Sequence, residues 1–127
     1  MTSSVFTKII EREIPSQIVY ETNLVIAFLD IHPESPGHLL LVPKIQTDHF
    51  EAVEEPYYTG LWYAAKVLSK KLEKITGCER VFVKIIGTDV PHCHVHLIPY
   101  YGEGLKKPLF SESETRVFVQ EMEALLE

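Results

Sequence analysis

The feature that most constrains this chain is a strict alternation of three histidines, His92, His94 and His96, in an apolar stretch that continues through Leu97 and Ile98. Aliphatic residues of this kind favour a β-strand, and a strand turns successive side chains to opposite faces. The three imidazoles therefore share one face, and the residues between them point to the other. One histidine at a strand surface usually has only a structural partner. Three together are costly to desolvate without a role, so the row predicts a functional site.

Composition limits the classes of protein to which this chain can belong. Its 127 residues are 46% hydrophobic and 24% charged, which predicts one soluble globular domain over residues 1–127. The net charge of −6 argues against binding to nucleic-acid backbones, although a local pocket for one anionic ligand remains possible. Cys78 and Cys93 are too few for a disulfide framework, so a reducing cytoplasm is expected. No long apolar stretch follows the N-terminus, so we expect neither a signal peptide nor a membrane association.

The apolar pattern predicts about five strands, several of them in hairpin-like neighbours. They are Ile18–Tyr20, Leu24–Leu29, His38–Val42, Val81–Ile86 and His92–Ile98. Because strands and helices do not alternate regularly along the chain, we expect an α+β domain with a five-stranded antiparallel sheet. The short link between the last two strands favours an antiparallel hairpin.

One long helix and a short N-terminal helix are predicted. The long helix carries apolar residues at 3.6-residue spacing from Leu61 to Ile75, and Gly77 supplies its C-terminal stop. The short helix covers Val5–Arg12 and is ended by Pro15.

A short C-terminal helix is predicted over residues 111–126, because Ser111–Glu114 fits a capping box. Its apolar positions are Phe118, Met122 and Leu125. A further helix is expected to begin within Thr47–Val53. Aromatic residues at the start of the long helix are interpreted as packing residues, against the core or a partner subunit; they are Tyr57, Tyr58, Trp62 and Tyr63.

Two loops lead into the predicted site. Residues 31–37 hold two prolines and a glycine, so Asp30 and His38 bracket a rigid loop. A charged side chain beside such a loop is often a ligand contact, although Asp30 taken alone is better explained as a cap of the turn. Gly87–Pro91 delivers the chain to the histidine row, and its glycine permits close approach of a ligand to the backbone.

Two chemistries fit three histidines on one strand face. The neutral rings can bind a transition metal, and Asp30 or Asp89 can add the carboxylate that a hydrolytic metal site often contains. Alternatively, one imidazole is a nucleophile while its neighbours bind phosphoryl oxygens or move a proton. Spacing alone leaves both chemistries open.

Two stretches resemble one known family. His92–Ile98 matches the His-φ-His-φ-His-φ-φ signature of the histidine triad family of nucleotide hydrolases and transferases, in which φ is apolar. Ala27–Lys44 is similar to that family's nucleoside-binding strand, Pro-Gly-His turn and following Pro-Lys. The resemblance covers roughly residues 5–100, in the family's order, and it is closest to the phosphoramidase-like branch.

The resemblance implies roles for four histidines. His94 is expected to be the nucleophile that takes a nucleoside monophosphate as a covalent intermediate, which water then releases. His96 is expected to contact the phosphate, and His92 to tune the site from the start of the strand. His38 is expected to join a proton-transfer or orienting network.

The resemblance also implies a nucleotide-binding set. Asp30 is expected to hold the ribose hydroxyls, and Phe28 and Ile31 to help to enclose the base. The phosphate-side loop is formed by Gly87, Thr88 and Asp89. Members of the family are usually homodimers that join two five-stranded sheets, and they need no catalytic metal or other cofactor.

The chain departs from the family at a structural zinc site that many bacterial-type members carry. The places of the zinc ligands are taken by Ser4, Thr7 and Gln46. Because all three ligands are missing together, we predict no structural zinc.

A second departure lies before the histidine row. Thr88 and Asp89 stand where the family commonly has Gln and Ser or Thr, and Lys84 is the nearest candidate for a missing Asn or Gln. A carboxylate at Asp89 would repel a phosphate unless it turns away, is protonated or binds a cation.

The leading hypothesis is hydrolysis of a purine nucleoside phosphoramidate or of an acyl- or lysyl-adenylate through His94. The alternatives are cleavage of dinucleoside polyphosphates, a nucleotide-binding module with little catalysis, and a metal-dependent hydrolase that uses the histidine row as ligands.

Overall fold

The computed structural model describes residues 2–104 and 106–124. Within these residues the chain forms three α-helices and five strands. In chain order they are α1 (Val5–Ile10), β1 (Ile18–Glu21), β2 (Val25–Leu29), β3 (Leu39–Pro43), α2 (Tyr57–Thr76), β4 (Arg80–Lys84), β5 (Val95–Tyr100) and α3 (Glu112–Ala124). None of these helices is long and apolar enough to cross a membrane.

All five strands belong to one antiparallel sheet in the order β1-β2-β3-β5-β4. β3 and β5 lie side by side at its centre, with Leu39 opposite Leu97 and Leu40 opposite His96. β4 forms one edge and, among the described strands, pairs with β5 alone, where Lys84 lies opposite His96. The prediction of an α+β domain with a five-stranded antiparallel sheet is confirmed.

The two faces of the sheet have different coverings. One face packs against α2 and α3 and holds the larger core, which includes Leu41, Val95 and Leu97. The other face packs against α1 through a smaller cluster that contains Phe6 and Phe28. Because side chains alternate along a strand, the row of histidines lies on the face with the smaller cluster.

The helix termini follow the capping signals in the sequence. Gly77 ends α2 in the left-handed region at φ +69°, and its N–H donates to the carbonyl of Glu73 over 3.0 Å. At α3, the N–H of Glu114 donates to Ser111 Oγ (3.1 Å) and the N–H of Ser111 donates to Glu114 Oε1 (2.9 Å), which is a complete capping box. Phe118 and Met122 are buried, and the predicted apolar position Leu125 lies outside the described residues.

Several element boundaries differ from the sequence prediction, and three differences bear on the site. β5 begins at Val95, so His92 and His94 precede the strand, although their side chains keep the alternation. β4 ends at Lys84, which makes the link from β4 to β5 longer than the predicted loop. In Thr47–Val53 only Phe50–Ala52 is helical, as one short 3₁₀ turn. Cys93 explains part of this, because its N–H donates to Thr47 O (2.7 Å) and fixes both segments outside regular elements.

Candidate active site

His92 is completely buried, and both its ring nitrogens have partners. Nε2 lies 2.9 Å from the carbonyl oxygen of Pro43, which can only accept, so Nε2 carries the proton. Nδ1 lies 2.7 Å from Ser4 Oγ, whose hydroxyl donates to it. Burial lowers the pKa of His92 below its usual value, and the Pro43 carbonyl opposes that shift. His92 is therefore a neutral ring of fixed orientation.

Ser4, Thr7 and Gln46 form a hydrogen-bonded cluster next to His92. Ser4 Oγ also accepts from the N–H of Thr7 (3.0 Å), which makes Ser4 the N-cap of α1. Gln46 Oε1 accepts from the hydroxyl of Thr7 (2.8 Å) and from the N–H of Ser4 (2.7 Å). Structural zinc is held by thiolates and imidazoles, so two hydroxyls and an amide do not fit that metal. The expected lack of zinc remains a prediction that rests on this donor chemistry.

His94 is the central ring of the site. Its Nδ1–H donates to the carbonyl oxygen of His92 over 2.7 Å, so in the neutral ring Nε2 has a free lone pair. Nε2 is buried and forms no hydrogen bond within the described part of the chain. The ring is flanked by the edge of Phe6 at 4.9 Å and by His96 at 5.3 Å between centroids. In its neutral form this buried imidazole presents the Nε2 lone pair, which is the arrangement that a nitrogen nucleophile requires.

Asp89 faces this nitrogen from the loop between β4 and β5. Its Oδ1 lies 3.3 Å from His94 Nε2, although 72% of the Asp89 side chain is exposed to solvent. The Asp89 carboxylate therefore lies beside the reactive nitrogen in this structure, and how it responds to a bound phosphate stays a prediction.

His38 and His96 are joined by a hydrogen bond whose donor and acceptor can be assigned. The N–H of Glu34 donates to His38 Nδ1 (3.0 Å), so that nitrogen is unprotonated and the proton is on Nε2. His38 Nε2 then donates to His96 Nδ1 (3.0 Å). This assignment leaves a proton on Nε2 of His96, where it is available to a ligand oxygen. Burial lowers the pKa of both rings, and the nearby carboxylate of Asp30 partly opposes this effect.

Asp30 follows β2 and combines the two roles considered from the sequence. Its Oδ1 accepts from the N–H of His32 (2.9 Å), as a turn cap does. Its Oδ2 lies 3.4 Å from His38 Nε2 and 3.9 Å from His96 Nδ1. The carboxylate therefore reaches the imidazole pair while it caps the loop.

Asp30, His38 and His96 are close enough together to be considered as metal ligands. Metal binding at His38 Nε2 requires that nitrogen to lose its proton, while the N–H of Glu34 already occupies Nδ1. The ring would then be an anion, which is a costly state for a buried imidazole. The hydrogen-bond pattern therefore favours a role for these residues in holding and orienting protons over a role as metal ligands.

The remaining predicted residues are distributed unevenly around the site. Phe28 is buried, with its ring 5.7 Å from that of Phe6, so it can form part of a wall. Ile31 is 83% exposed and lies on the surface. Gly87 has φ +74°, which glycine adopts without strain, and Thr88 is exposed beside Asp89. Their roles in binding stay predictions.

Lys84 lies beside the site but is already paired. Its Nζ is 2.8 Å from Glu34 Oε2, and this contact lowers the pKa of the Glu34 carboxyl. The sequence reasoning did not assign Phe6, Glu34 or Pro43 to the site. Two of them contribute backbone atoms, which leave no signal in residue type, and Phe6 arrives on a helix distant in sequence.

Comparisons with known proteins agree with this fold. The HIT domain family matches residues 11–103. The purine nucleoside phosphoramidase of Escherichia coli K12 is 37% identical over 101 residues, which cover 75% of this chain and 85% of that protein. The 14 kDa zinc-binding protein of Brassica juncea is 40% identical over 107 residues, which cover 75% of this chain and 90% of that protein. A crystal structure of a HIT-like protein from Bartonella henselae has a TM-score of 0.84 at 29% identity, over 98% of this chain and 96% of that one.

The fold and the row of buried imidazoles define a class of small α+β proteins that carry a histidine site on one face of an antiparallel sheet. Within that class, this chain belongs to the HIT family of histidine triad proteins.

Proposed function

We propose that this protein is a HIT-family nucleotide hydrolase that releases a nucleoside monophosphate from a phosphoramidate or adenylate by way of a covalent intermediate on His94. The observation that carries the proposal is the free lone pair of His94 Nε2, which is buried and held in place by the bond from Nδ1 to the His92 carbonyl. The relative from Escherichia coli is named a purine nucleoside phosphoramidase, and its similarity to this chain supports the same reaction class.

The reaction has two balanced steps. In the first, His94 Nε2 forms a bond to phosphorus while the bond from phosphorus to the leaving group breaks. The leaving group takes that bonding pair, and a leaving amine also takes one proton from solvent. In the second, water attacks phosphorus, the phosphorus–Nε2 bond breaks and its electron pair returns to His94. The nucleoside monophosphate and the released proton are the other products.

The neighbouring side chains supply positioning and electrostatic stabilisation, which phosphoryl transfer needs most. The N–H at His96 Nε2, oriented through His38, is suited to donate to a phosphoryl oxygen. Asp30, at the end of β2, is suited to accept hydrogen bonds from ribose hydroxyls, because one of its oxygens caps the loop and the other faces the site. Phe28 provides apolar surface for a purine base.

We also propose that the protein is a homodimer built on the free edge of the sheet. β4 has no strand on its outer side within the described residues, and Phe82 and Val83 on it are each 47% exposed. An exposed apolar edge strand is a surface that a second strand covers readily. A cytoplasmic location is consistent with the two cysteines, Cys78 and Cys93, which are both free thiols.

The test is turnover of adenosine 5′-phosphoramidate, together with intact-mass detection of a nucleotide-sized adduct after brief incubation. The His94→Ala variant should lose turnover by about 10⁴-fold or more and form no adduct, because no other group replaces the nucleophile. His49→Ala is the matched control, because 72% of that side chain is exposed and the proposed reaction gives it no role. Turnover by His94→Ala at the wild-type rate, in a folded protein, would contradict the proposal.

A second candidate is a nucleotide-binding module with little catalysis. It is favoured by one observation, the Asp89 carboxylate that stands where an incoming phosphate would meet Nε2. Binding of adenosine monophosphate without turnover of the phosphoramidate would select this candidate.

A further inference from the structure

Asp89 is the residue whose position the proposed reaction does not yet explain. Its Oδ1 lies 3.3 Å from His94 Nε2, the nitrogen that attacks phosphorus in the proposed reaction. Its carboxylate is on an exposed loop that contains Gly87 in the left-handed region, so the side chain can move aside when a phosphate enters. In an in-line displacement the leaving atom is only a few ångströms from the attacking nitrogen, so the charge of a carboxylate next to His94 Nε2 acts on the leaving group.

The charges around the imidazoles determine how a carboxylate at position 89 affects a substrate. Three carboxylates approach the site from two loops: Asp30 and Glu34 from the loop between β2 and β3, and Asp89 from the loop between β4 and β5. The nearby Lys84 ammonium is already paired with Glu34. His38, His92 and His96 have pKa values lowered by burial, so they contribute little positive charge near neutral pH. The surroundings of the attacked phosphorus are therefore negative on the side of Asp89.

We propose that Asp89 selects the leaving group by charge, so that the enzyme prefers a phosphorus–nitrogen substrate with an amine leaving group over one whose leaving group is a further phosphate. This inference rests on the proposed function and specifies its substrate class. An amine must be protonated before it leaves, and the resulting P–NH₃⁺ group can donate to the Asp89 carboxylate. A phosphate leaving group offers only negative oxygens to the same carboxylate and is repelled.

The step stays balanced with Asp89 as a spectator carboxylate. The nitrogen of the leaving amine takes a proton from solvent, the phosphorus–nitrogen pair goes to that nitrogen, and neutral amine departs as His94 Nε2 bonds to phosphorus. Asp89 neither gains nor loses a proton in this account. It acts by stabilising the protonated leaving group and by disfavouring an anionic one.

The experiment compares kcat/KM for adenosine 5′-phosphoramidate and for diadenosine tetraphosphate in wild type, Asp89→Asn and Asp89→Ser. Removing the charge should lower the ratio of amine to phosphate turnover by about tenfold for each negative charge, as Coulomb's law gives for unit charges about 6 Å apart at an effective dielectric constant of about 40. Size differences between the two substrates cancel, because each variant is compared with wild type on both. Asp48→Asn, an exposed aspartate outside the site, is the matched control and should leave the ratio unchanged.

The outcomes separate this inference from the proposed function. If wild type turns over the phosphoramidate and Asp89→Asn keeps the wild-type ratio within twofold, the role of Asp89 is overturned while the hydrolase stands. If wild type cleaves only the dinucleotide, the charge selection is overturned, because its sign is wrong. If wild type cleaves neither probe, the proposed function fails and this inference fails with it. A fall in the ratio in both Asp89 variants, but not in Asp48→Asn, supports it.

Discussion

At the scale of single residues, the site is organised by backbone atoms that fix where each imidazole carries its proton. The Pro43 carbonyl takes the N–H of His92, and the His92 carbonyl takes the N–H of His94. The N–H of Glu34 occupies the unprotonated nitrogen of His38. Backbone groups cannot titrate or change rotamer, so the lone pair of His94 is directed before any ligand binds.

Ser4 supports this arrangement from α1, because its hydroxyl donates to His92 Nδ1. We expect Ser4→Ala to lower the free energy of unfolding by about 2–3 kcal/mol, from a buried acceptor left unpaired and an N-cap lost. Urea denaturation measures this change. Ser111→Ala is the matched control, because Ser111 caps α3 at an exposed position and should cost only about 1 kcal/mol. Equal losses in the two variants would mean that the bond to His92 adds nothing.

The buried histidines also predict how stability depends on pH. The pKa values of His38, His92 and His96 are lowered in the folded state, with burial the largest cause in each. As pH falls below about 6.5, the unfolded chain binds protons that the folded chain refuses, so stability is complete above that pH and is lost below it. The slope should approach about 1.4 kcal/mol per pH unit for each such histidine.

Thermal unfolding between pH 7.5 and 5 measures this dependence, in a range above the titration of most carboxyl groups. His38→Asn should flatten the slope, whereas His49→Asn, at an exposed position, should not. A melting temperature independent of pH across this range would contradict the assignment of neutral buried rings.

At the scale of elements, the loop between β2 and β3 delivers both Asp30 and His38 to the site. The N–H of Asp30 donates to the His38 carbonyl (3.0 Å), which closes the loop upon itself. Gly37 makes this closure possible, because it has φ +93° and an added Cβ would lie 3.2 Å from Pro99 Cγ. The glycine of the Pro-Gly-His turn is therefore required by both backbone conformation and packing.

We expect Gly37→Ala to destabilise the protein by about 2–4 kcal/mol and to reduce turnover, because the strained turn displaces His38. Gly77→Ala is a matched control, because Gly77 also has positive φ but an added Cβ would meet no atom within 4 Å. That variant should lose about 1 kcal/mol and keep its activity. Denaturation and phosphoramidate turnover give the two values, and equal effects in both variants would show that packing at Gly37 is unimportant.

At the scale of the whole molecule, the proposed site lies next to the edge of the sheet that β4 forms. β4 carries exposed apolar residues and pairs with the strand that contains His96. A second copy on this edge would extend the sheet and stiffen the strand beside the site. The proposed dimer therefore bears on the reaction as well as on stability.

We expect Val83→Lys to convert a dimer into a monomer, because a charge on the edge strand disfavours strand pairing. Sedimentation velocity at micromolar concentration measures the change. Val117→Lys makes the same substitution on an exposed valine of α3 and should leave the dimer intact. A wild-type protein that sediments as a monomer, or a Val83→Lys variant that stays dimeric, would overturn this interface.

The sequence alone was sufficient for the local features of the fold. Short apolar runs predicted the strands, and the capping box at Ser111 and the stop at Gly77 predicted helix ends. The alternation of the histidines predicted the face that they share. These features depend on neighbours a few residues apart, which is why residue type reveals them. The start of β5 was predicted too early. Cys93 is held by Thr47, which is distant in sequence, rather than by a neighbouring strand, and residue type does not reveal such a contact.

The tertiary structure alone decided the chemistry of the rings. The protonation pattern depends on Glu34 and Pro43, whose backbone groups leave no trace in the pattern of side chains. The direction of Asp89 toward His94 is likewise set by the path of an irregular loop. The sequence therefore determined which side chains face the same way, since strand periodicity is local. Only the folded chain determined which nitrogen is free to react, since that depends on partners brought together from distant segments.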